Sequence, residues 1–317
     1  MAPLRAFTSG DPIADRRASF AETLHHLGDI DGALQALKAA LDLAPGWNAG
    51  WFRLGEWCES AGQIDAAVEA WERALALDPT DALGAGLKRD LARKVPLVES
   101  MPPAFVELLF DQYAPRFERS LTGGLGYVGP EQTMASLKAA GFVRARRAID
   151  LGCGTGLVGE VLRASCDWLA GYDISTGMLA EARDKGVYDH LEKRDIARLP
   201  LSVDRFDLIV AADVFIYIGA LERVIGWCAG SLEPGGFLAF TVELGDLPVV
   251  LQDSQRFAHS RDYIETLLQD AGLTGTTVMQ QSIRQDRGVD VPGLVVVARS
   301  LPTRAQKLGD GEFETLA

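Results

Sequence analysis

The sequence predicts an α/β protein: a doubly wound, mostly parallel sheet with an antiparallel terminal strand, preceded by an all-helical repeat domain. Three observations predict it. A 34-residue period covers the first part of the chain, a glycine-rich loop follows an apolar run at residues 150–156, and acidic residues end successive predicted strands further along. Because ligands bind at the carboxyl edge of an open parallel sheet, the loop and the acids predict a binding site at that edge.

The composition limits the classes of function. The 317 residues suffice for two domains, and the net charge of −13 argues against nucleic acid as substrate. No apolar run approaches the ~20 residues of a membrane span, and the N-terminus lacks the layout of a signal peptide. The four cysteines show no spacing typical of a metal site. We therefore expect a cytoplasmic protein with no structural metal and no contact with nucleic acid or a membrane.

The helical part is an internal repeat. Residues 27–45 align without a gap to residues 61–79 at an offset of 34, which is the tetratricopeptide period. Trp51, Gly55 and Pro79 match characteristic positions of that repeat, so the segment resembles two tetratricopeptide repeats followed by a capping helix near residues 81–94. Because about three repeats are needed for independent stability, we expect this module to pack on the rest of the chain or on a second subunit. A groove that recruits a protein partner and a purely assembling appendage are both open.

The glycine loop predicts the ligand. Asp150 is followed by Gly152, Gly154 and Gly156 and then by a helical pattern; glycine lets the backbone turn sharply and approach a ligand, while a carboxylate beside the loop favours a cationic or donating group. The segment resembles the first motif of class I S-adenosylmethionine-dependent methyltransferases, and this resemblance covers roughly residues 105–300. It implies a Rossmann-like fold, S-adenosylmethionine as cofactor, and catalysis without a metal.

The strand-end acids extend the resemblance. Asp173 lies about twenty residues beyond the glycines, where a carboxylate can accept both ribose hydroxyls of a nucleoside. The resemblance implies that Asp195 and Ile196 lie at the adenine amino group, and that Tyr113, in a helix before the core, closes the pocket. The cofactor-binding residues implied are Tyr113, Asp150, Gly152, Cys153, Gly154, Gly156, Asp173, Ile174, Met178, Asp195, Ile196 and Asp213.

A dinucleotide site is the main alternative for the glycines. Gly154, Gly156 and Gly159 also satisfy the Gly-x-Gly-x-x-Gly spacing, with Asp173 as the ribose acid. Asp150 would not help to bind a pyrophosphate, and an antiparallel closing pair of strands replaces a second nucleotide-binding half. Both features favour the methyltransferase interpretation.

The acceptor side gives three candidate residues, Tyr217, Glu243 and His259, of which Tyr217 and His259 are the candidate catalytic residues. Tyr217 follows the fourth predicted strand. His259 lies in a Phe-Ala-His-Ser segment resembling one found in relatives that join tetratricopeptide repeats to a methyltransferase. His259 is either a base or acceptor ligand, or a histidine that caps a helix or fixes a loop. A base helps only if the nucleophile must lose a proton.

The sequence thus divides into a flexible N-terminus (1–15), a repeat domain (16–95), a linker with a cofactor-covering helix (96–130), a methyltransferase domain (131–300) and a tail (301–317). The leading hypothesis is methyl transfer to an O, N or S atom of a small molecule, with the repeats used for assembly or partner binding. The alternatives are a protein methyltransferase whose repeats recruit the polypeptide, and a non-catalytic adaptor.

Overall fold

The computed structural model describes residues 8–93, 101–114, 117–118, 127–200, 204–252, 254–286 and 288–302. Several expectations concern other parts of the chain. The first seven residues of the N-terminal segment, the proline at residue 96, residues 119–126 of the linker and nearly all of the predicted tail lie outside the described residues.

The first five helices form two antiparallel pairs and a capping helix. They are α1 (Pro12–His26), α2 (Ile30–Leu43), α3 (Asn48–Ser60), α4 (Ile64–Leu77) and α5 (Ala85–Ala92). Small residues let the paired helices approach closely: a Cβ on Gly55 in α3 would lie 2.3 Å from Nε1 of Trp71 in α4. Helix α1 starts within the segment expected to be flexible, because the Asp11 side chain accepts the N–H groups of Ile13 and Ala14 and Pro12 occupies the first turn.

The capping helix contacts the rest of the chain. The Asp81 carboxylate accepts the N–H groups of Ala85 and Gly86 at 2.6 and 3.0 Å and so starts α5. Leu87 of α5 is buried in one cluster with Met101 and Phe257. The repeat helices therefore pack on the sheet domain of the same chain, as their small number predicted.

The remaining elements alternate between helix and strand. Helices are α6 (Pro103–Tyr113), α7 (Gly129–Ala139), α8 (Leu157–Leu162), α9 (Thr176–Lys185), α10 (Glu222–Ser231) and α11 (Arg261–Asp270). Strands are β1 (Ala145–Leu151), β2 (Cys166–Asp173), β3 (His190–Lys193), β4 (Phe206–Ala211), β5 (Leu232–Leu244), β6 (Val249–Leu251), β7 (Phe257–His259), β8 (Thr274–Asp286) and β9 (Val289–Arg299). No helix among the described residues has the length and apolar character needed to cross a bilayer.

The sheet confirms the predicted fold class. The main order is β3-β2-β1-β4-β5-β9-β8; β1 to β5 run parallel, and β8 and β9 close the sheet as an antiparallel pair. Two apolar clusters cover its faces, one around Ile209, Phe215 and Phe240 and the other around Leu137 and Leu208. The sequence order of strands reverses between β1 and β4, which is where a ligand is expected in such sheets.

A short hairpin was not predicted. Between β5 and α11, strands β6 and β7 pair antiparallel. Glu243 of β5 pairs with Gly293 of β9 on one edge and with Ala258 of β7 on the other. Strand β7 therefore lies beyond the end of β4, on the same edge of β5, and brings the residues before it to the carboxyl edge of the sheet.

Candidate active site

A cavity of about 370 Å³ lies at this carboxyl edge, a size typical of small-molecule sites. Its wall comes from the loop after β1, the ends of β2 and β4, the turn after β3, helix α6 and the segment before β7. The predicted site residues that line it are Tyr113, Gly152, Cys153, Gly154, Asp173, Ile174, Met178, Asp195, Ile196, Asp213 and Tyr217. Asp150, Gly156 and His259 lie outside this lining. Within the described part of the chain, no three His, Cys, Asp or Glu side chains are placed to hold a metal.

The loop after β1 presents its backbone to the cavity. Gly152, Gly154 and Gly156 have φ values of 68°, 53° and 94°, a region that residues with a Cβ rarely adopt. A Cβ on Gly152 would also lie 2.2 Å from Cγ2 of Val214, a residue of the opposite wall. Conformation and space therefore both require glycine here.

Asp173 connects this loop to β2. Its Oδ2 accepts the N–H of Gly154 at 2.9 Å, and its Oδ1 accepts the N–H of Ser175 at 2.8 Å. Burial raises the pKa of Asp173 to about 6, against the lowering effect of these backbone donors. Each carboxylate oxygen has a further lone pair, so the side chain can fix the loop and still accept hydrogen bonds from a ligand.

Asp150 lies behind the loop. Its Oδ2 accepts the hydroxyl of Tyr188 at 2.6 Å, and its Oδ1 has no hydrogen-bond partner among the described residues. Burial raises the pKa of Asp150 to about 7, although the Tyr188 hydrogen bond lowers it. Tyr188 also fills the space beside Gly159, where a Cβ would lie 2.4 Å from its Cζ. In this position Asp150 supports the loop from the protein side, and its predicted contact with the cofactor stays a prediction.

Helix α6 forms the outer wall of the cavity. Its Asp111 accepts hydrogen bonds at Oδ1 from the Ser175 hydroxyl at 2.6 Å and from the Gly177 N–H at 2.9 Å. Phe110 packs edge-on against Tyr217 with ring centroids 5.2 Å apart. The helix is therefore attached to the start of α9 on one side and to the acceptor-side aromatic residue on the other.

Asp213, just past β4, combines backbone strain with an unsatisfied oxygen. Its φ is 55°, in the left-handed region, and its N–H donates to Oγ1 of Thr241 at 2.8 Å. Its Oδ1 is buried without a hydrogen bond among the described residues, with Nη1 of Arg284 at 3.8 Å. Burial raises the pKa of Asp213 against the opposing effect of Arg284 and Arg256. Strain and an unpaired buried acceptor together indicate a functional residue.

Two arginines accompany Asp213, and they differ in their partners. Arg284 is buried and ion-paired with Glu243. Arg256 is half-buried in the cavity wall, and its guanidinium interacts with the phenol oxygen of Tyr217. Burial lowers the pKa of Arg256, but Tyr217, Asp213 and Glu243 outweigh it and raise that pKa. Among the described residues no carboxylate oxygen lies within 4.0 Å of the Arg256 guanidinium.

His259 lies in β7, away from the cavity. Its Nε2 donates to the carbonyl of Gly219 at 2.8 Å, and its ring stacks on Tyr263 with centroids 5.8 Å apart. Burial lowers the pKa of His259, so the ring is neutral near pH 7. This arrangement favours the loop-fixing interpretation over a base or an acceptor ligand.

Sequence reasoning missed four residues of the site: Asp111, Tyr188, Arg256 and Arg284. Each acts on a residue that is distant in sequence, so no local spacing could reveal it. The strongest available signal was Arg256, which stands three residues before His259 in the segment already singled out.

Comparison with known proteins agrees with this geometry. Residues 149–240 match the family described as Methyltransferase domain, and residues 49–81 match the Tetratricopeptide repeat family. Malonyl-[acyl-carrier protein] O-methyltransferase of Enterobacter lignolyticus is 29% identical over 182 residues, covering 55% of this chain and 70% of that protein. Ubiquinone biosynthesis O-methyltransferase of Coxiella burnetii is 28% identical over 103 residues, covering 31% of this chain and 44% of that protein. The structure of magnesium protoporphyrin IX methyltransferase from Synechocystis with bound cofactor is 19% identical, with a TM-score of 0.49, and covers 65% of this chain and 99% of that one.

The fold, the site and the family match together indicate that residues 149–240 belong to a methyltransferase domain of the S-adenosylmethionine-dependent class. More particularly, the chain joins a class I methyltransferase domain to N-terminal tetratricopeptide repeats. Apart from the Enterobacter protein, the chain spans only about half or less of the length of the curated relatives compared, 44% for the Coxiella enzyme and 52% for the malonyl-[acyl-carrier protein] O-methyltransferase of Salmonella typhimurium.

The residues fit the cofactor. S-adenosylmethionine offers mainly hydrogen-bond donors and positive charge: an ammonium, two ribose hydroxyls, an adenine amino group and the sulfonium. The cavity offers matching acceptors in Asp173, Asp195 and Asp213, and one of them, Asp213, has a buried oxygen without a hydrogen bond among the described residues. The glycine loop leaves open the space that a side chain would fill.

Proposed function

We propose that this protein transfers a methyl group from S-adenosylmethionine to an oxygen atom of a small molecule in the cytoplasm. The proposal rests on one observation. Asp173 and Asp195, the acids proposed to bind the nucleoside, line the same cavity as the acceptor-side residues Tyr217 and Arg256. Both curated relatives described above are named O-methyltransferases, which favours oxygen over nitrogen or sulfur.

In this proposal the chain binds the cofactor along the strand ends. Asp173 accepts the ribose hydroxyls, Asp195 and Ile196 bind the adenine, and the loop from Gly152 to Gly156 lies along the amino-acid tail. Met178 and Tyr113 cover the nucleoside. The cofactor supplies an activated methyl group, so orientation of the acceptor and exclusion of water are the main tasks of the protein.

The acceptor side is proposed to work mainly by positioning. Tyr217 is held by Phe110 on one side and by Arg256 on the other. His259 is remote from the cavity and neutral, so we assign it to positioning β7 against the loop at Gly219. If the acceptor loses a proton, Asp213 is the suited group, because burial raises the pKa of its carboxylate.

A protein methyltransferase is the second candidate. Leu87 of the capping helix packs against Phe257, which follows Arg256 in the cavity wall, so a polypeptide held by the repeats could reach the acceptor side. The small-molecule proposal is preferred because the cavity is bounded by α6 and by the residues before β7.

Calorimetry and methyl transfer test the proposal. We expect S-adenosylhomocysteine to bind, and labelled methyl groups to appear on a small acceptor with an unchanged rate when residues 1–80 are replaced by an unrelated helical fusion. Absence of binding would contradict the enzyme assignment. Loss of label with the fusion, together with labelling of a polypeptide by the full chain, would favour the second candidate.

A further inference from the structure

The acceptor end of the cavity contains a cation, Arg256, that has no ion-pair partner in the part of the chain that the structure describes. Arg256 faces the cavity beside Tyr217, and among the described residues no carboxylate lies within ion-pair distance of it. A desolvated charge is costly unless it is paired. Arginine presents a fork of donors that matches a carboxylate in two parallel hydrogen bonds.

The neighbouring charges are already balanced. Arg284 is ion-paired with Glu243, and Asp213 lies 3.8 Å from the same guanidinium. Arg284, Glu243, Asp213 and Arg256 together carry no net charge, and of the two arginines Arg256 lines the cavity. Because the cofactor carries one net positive charge, a singly negative acceptor would balance that charge at this end of the cavity.

Arg194, the other arginine in the cavity lining, has an ion-pair partner. Arg194 follows β3, and its Nη2 is paired with Glu192 at 2.8 Å. Strands β2 and β1 separate β3 from β4, so Arg194 is about 14 Å away at the nucleoside end. The charge available to an acceptor is therefore that of Arg256.

Apolar side chains also line the cavity that Arg256 faces. Met101, Phe105, Val106, Phe110 and Tyr217 line the same cavity, and the first three belong with Phe257 and Tyr217 to one apolar cluster. One cation in an aromatic wall fits a ligand with one negative group on an apolar body. A phosphate dianion fits less well, because Asp213 and Glu243 would repel its second charge.

We infer that the methyl acceptor carries a carboxylate on an apolar body, and that Arg256 binds this carboxylate. The inference rests on the proposed function, since it names the class of molecule that enters the acceptor end. It assigns Arg256 to substrate recognition. It does not specify which atom of the acceptor receives the methyl group.

Matched acids and amides test this inference by binding alone. The full chain, saturated with S-adenosylhomocysteine, is titrated calorimetrically with acetate, hexanoate and benzoate and with their primary amides. We expect the larger acids to bind at least about ten-fold more tightly than their amides, the size of one charge-assisted hydrogen bond. Arg256→Gln should remove this preference, and the control Arg194→Gln should retain it.

Each outcome decides the inference. Equal binding of acids and amides by the unaltered protein, or a preference that survives Arg256→Gln, would overturn it, and so would tighter binding of phenyl phosphate than of benzoate. Retained affinity of Arg256→Gln for S-adenosylhomocysteine shows that the fold is intact. If the unaltered protein does not bind S-adenosylhomocysteine, the proposed function fails, and the same titrations without it still test Arg256.

Discussion

The two ends of the cavity are built by different means. At the glycine loop the backbone forms the surface, and the buried acids Asp150 and Asp173, with their raised pKa values, hold it in place. At the acceptor end, side chains from β6–β7, β8 and the segment after β4 form a charge cluster around Arg256. The first end suits a ligand of fixed shape, and the second can change its specificity by replacing single side chains.

The largest effect is expected when a side chain is added to the glycine loop at the backbone-built end. Gly152→Ala adds a Cβ 2.2 Å from Val214 at a φ of 68°. A left-handed residue with a Cβ costs about 1–2 kcal/mol, and a displacement of about 1 Å in a binding loop costs about 100-fold. The strain is present with and without ligand and lowers stability, so we expect the displacement of the loop to lower affinity for S-adenosylhomocysteine by about 100-fold.

Gly186→Ala is the matched control. Gly186 also has a positive φ, 64°, but no atom lies within 4 Å of an added Cβ. We expect a loss of about 1 kcal/mol in unfolding free energy and nearly unchanged affinity. Equal losses of affinity in both variants would mean that backbone strain alone, and not the closeness of the loop to the cavity wall, explains the glycines.

The side-chain-built end should respond to the capping helix α5, which stays in place when residues 1–80 are replaced. Leu87→Ala removes a buried side chain that packs with Met101 and Phe257, at a cost of roughly 2–5 kcal/mol. Leu34→Ala, in the core of the repeats, is a control of the same size. Both should lower the melting temperature, but only Leu87→Ala should weaken benzoate binding. If Leu87→Ala and Leu34→Ala changed benzoate affinity equally, the contact of α5 with Met101 and Phe257 would have no specific effect on the acceptor end.

The same contrast explains what the sequence could predict. The glycines and strand-end acids lie within short segments, so alternation, spacing and turn chemistry located Asp173, Asp195 and Asp213 at one edge. The acceptor end depends on long-range pairing: β7 extends the edge of β5 that β4 leaves free, and only then does Arg256 reach Tyr217. A three-residue strand such as β7 gives too short a pattern to be recognised, and His259 accordingly suggested a catalytic role that its contacts do not favour.

Asp150 allows a test by pH. Its folded pKa is raised from 3.8 to about 7, so its contribution to stability is present below pH 4 and lost as the pH rises toward 7. Asp150→Asn removes this loss. We expect the variant to gain stability relative to the unaltered protein by on the order of 4 kcal/mol between about pH 4 and about pH 8 in chemical unfolding without cofactor.

Tyr188→Phe should act in the opposite sense. Removing its hydrogen bond to Asp150 raises the carboxyl pKa further, so the loss of stability with rising pH should continue to a higher pH. Identical pH profiles for the unaltered protein and both variants would show that Asp150 is not buried behind the loop as described.

The smallest effect is expected at helix α6, which closes the backbone-built end from outside. Asp111→Ala removes the hydrogen bonds to Ser175 and Gly177, each worth about 1 kcal/mol. Because these bonds hold α6 in the free protein as well, we expect only about half of their sum to act on ligand release, and therefore roughly five-fold faster dissociation of S-adenosylhomocysteine in stopped-flow measurements. Glu107→Gln, on the same helix, breaks only the half-exposed ion pair with Lys193, and such pairs contribute little. Because Asp111 acts on the start of α9, which follows Asp173, its loss should leave the acid-over-amide preference at Arg256 unchanged. A change in that preference would show that the two ends of the cavity are coupled through α6.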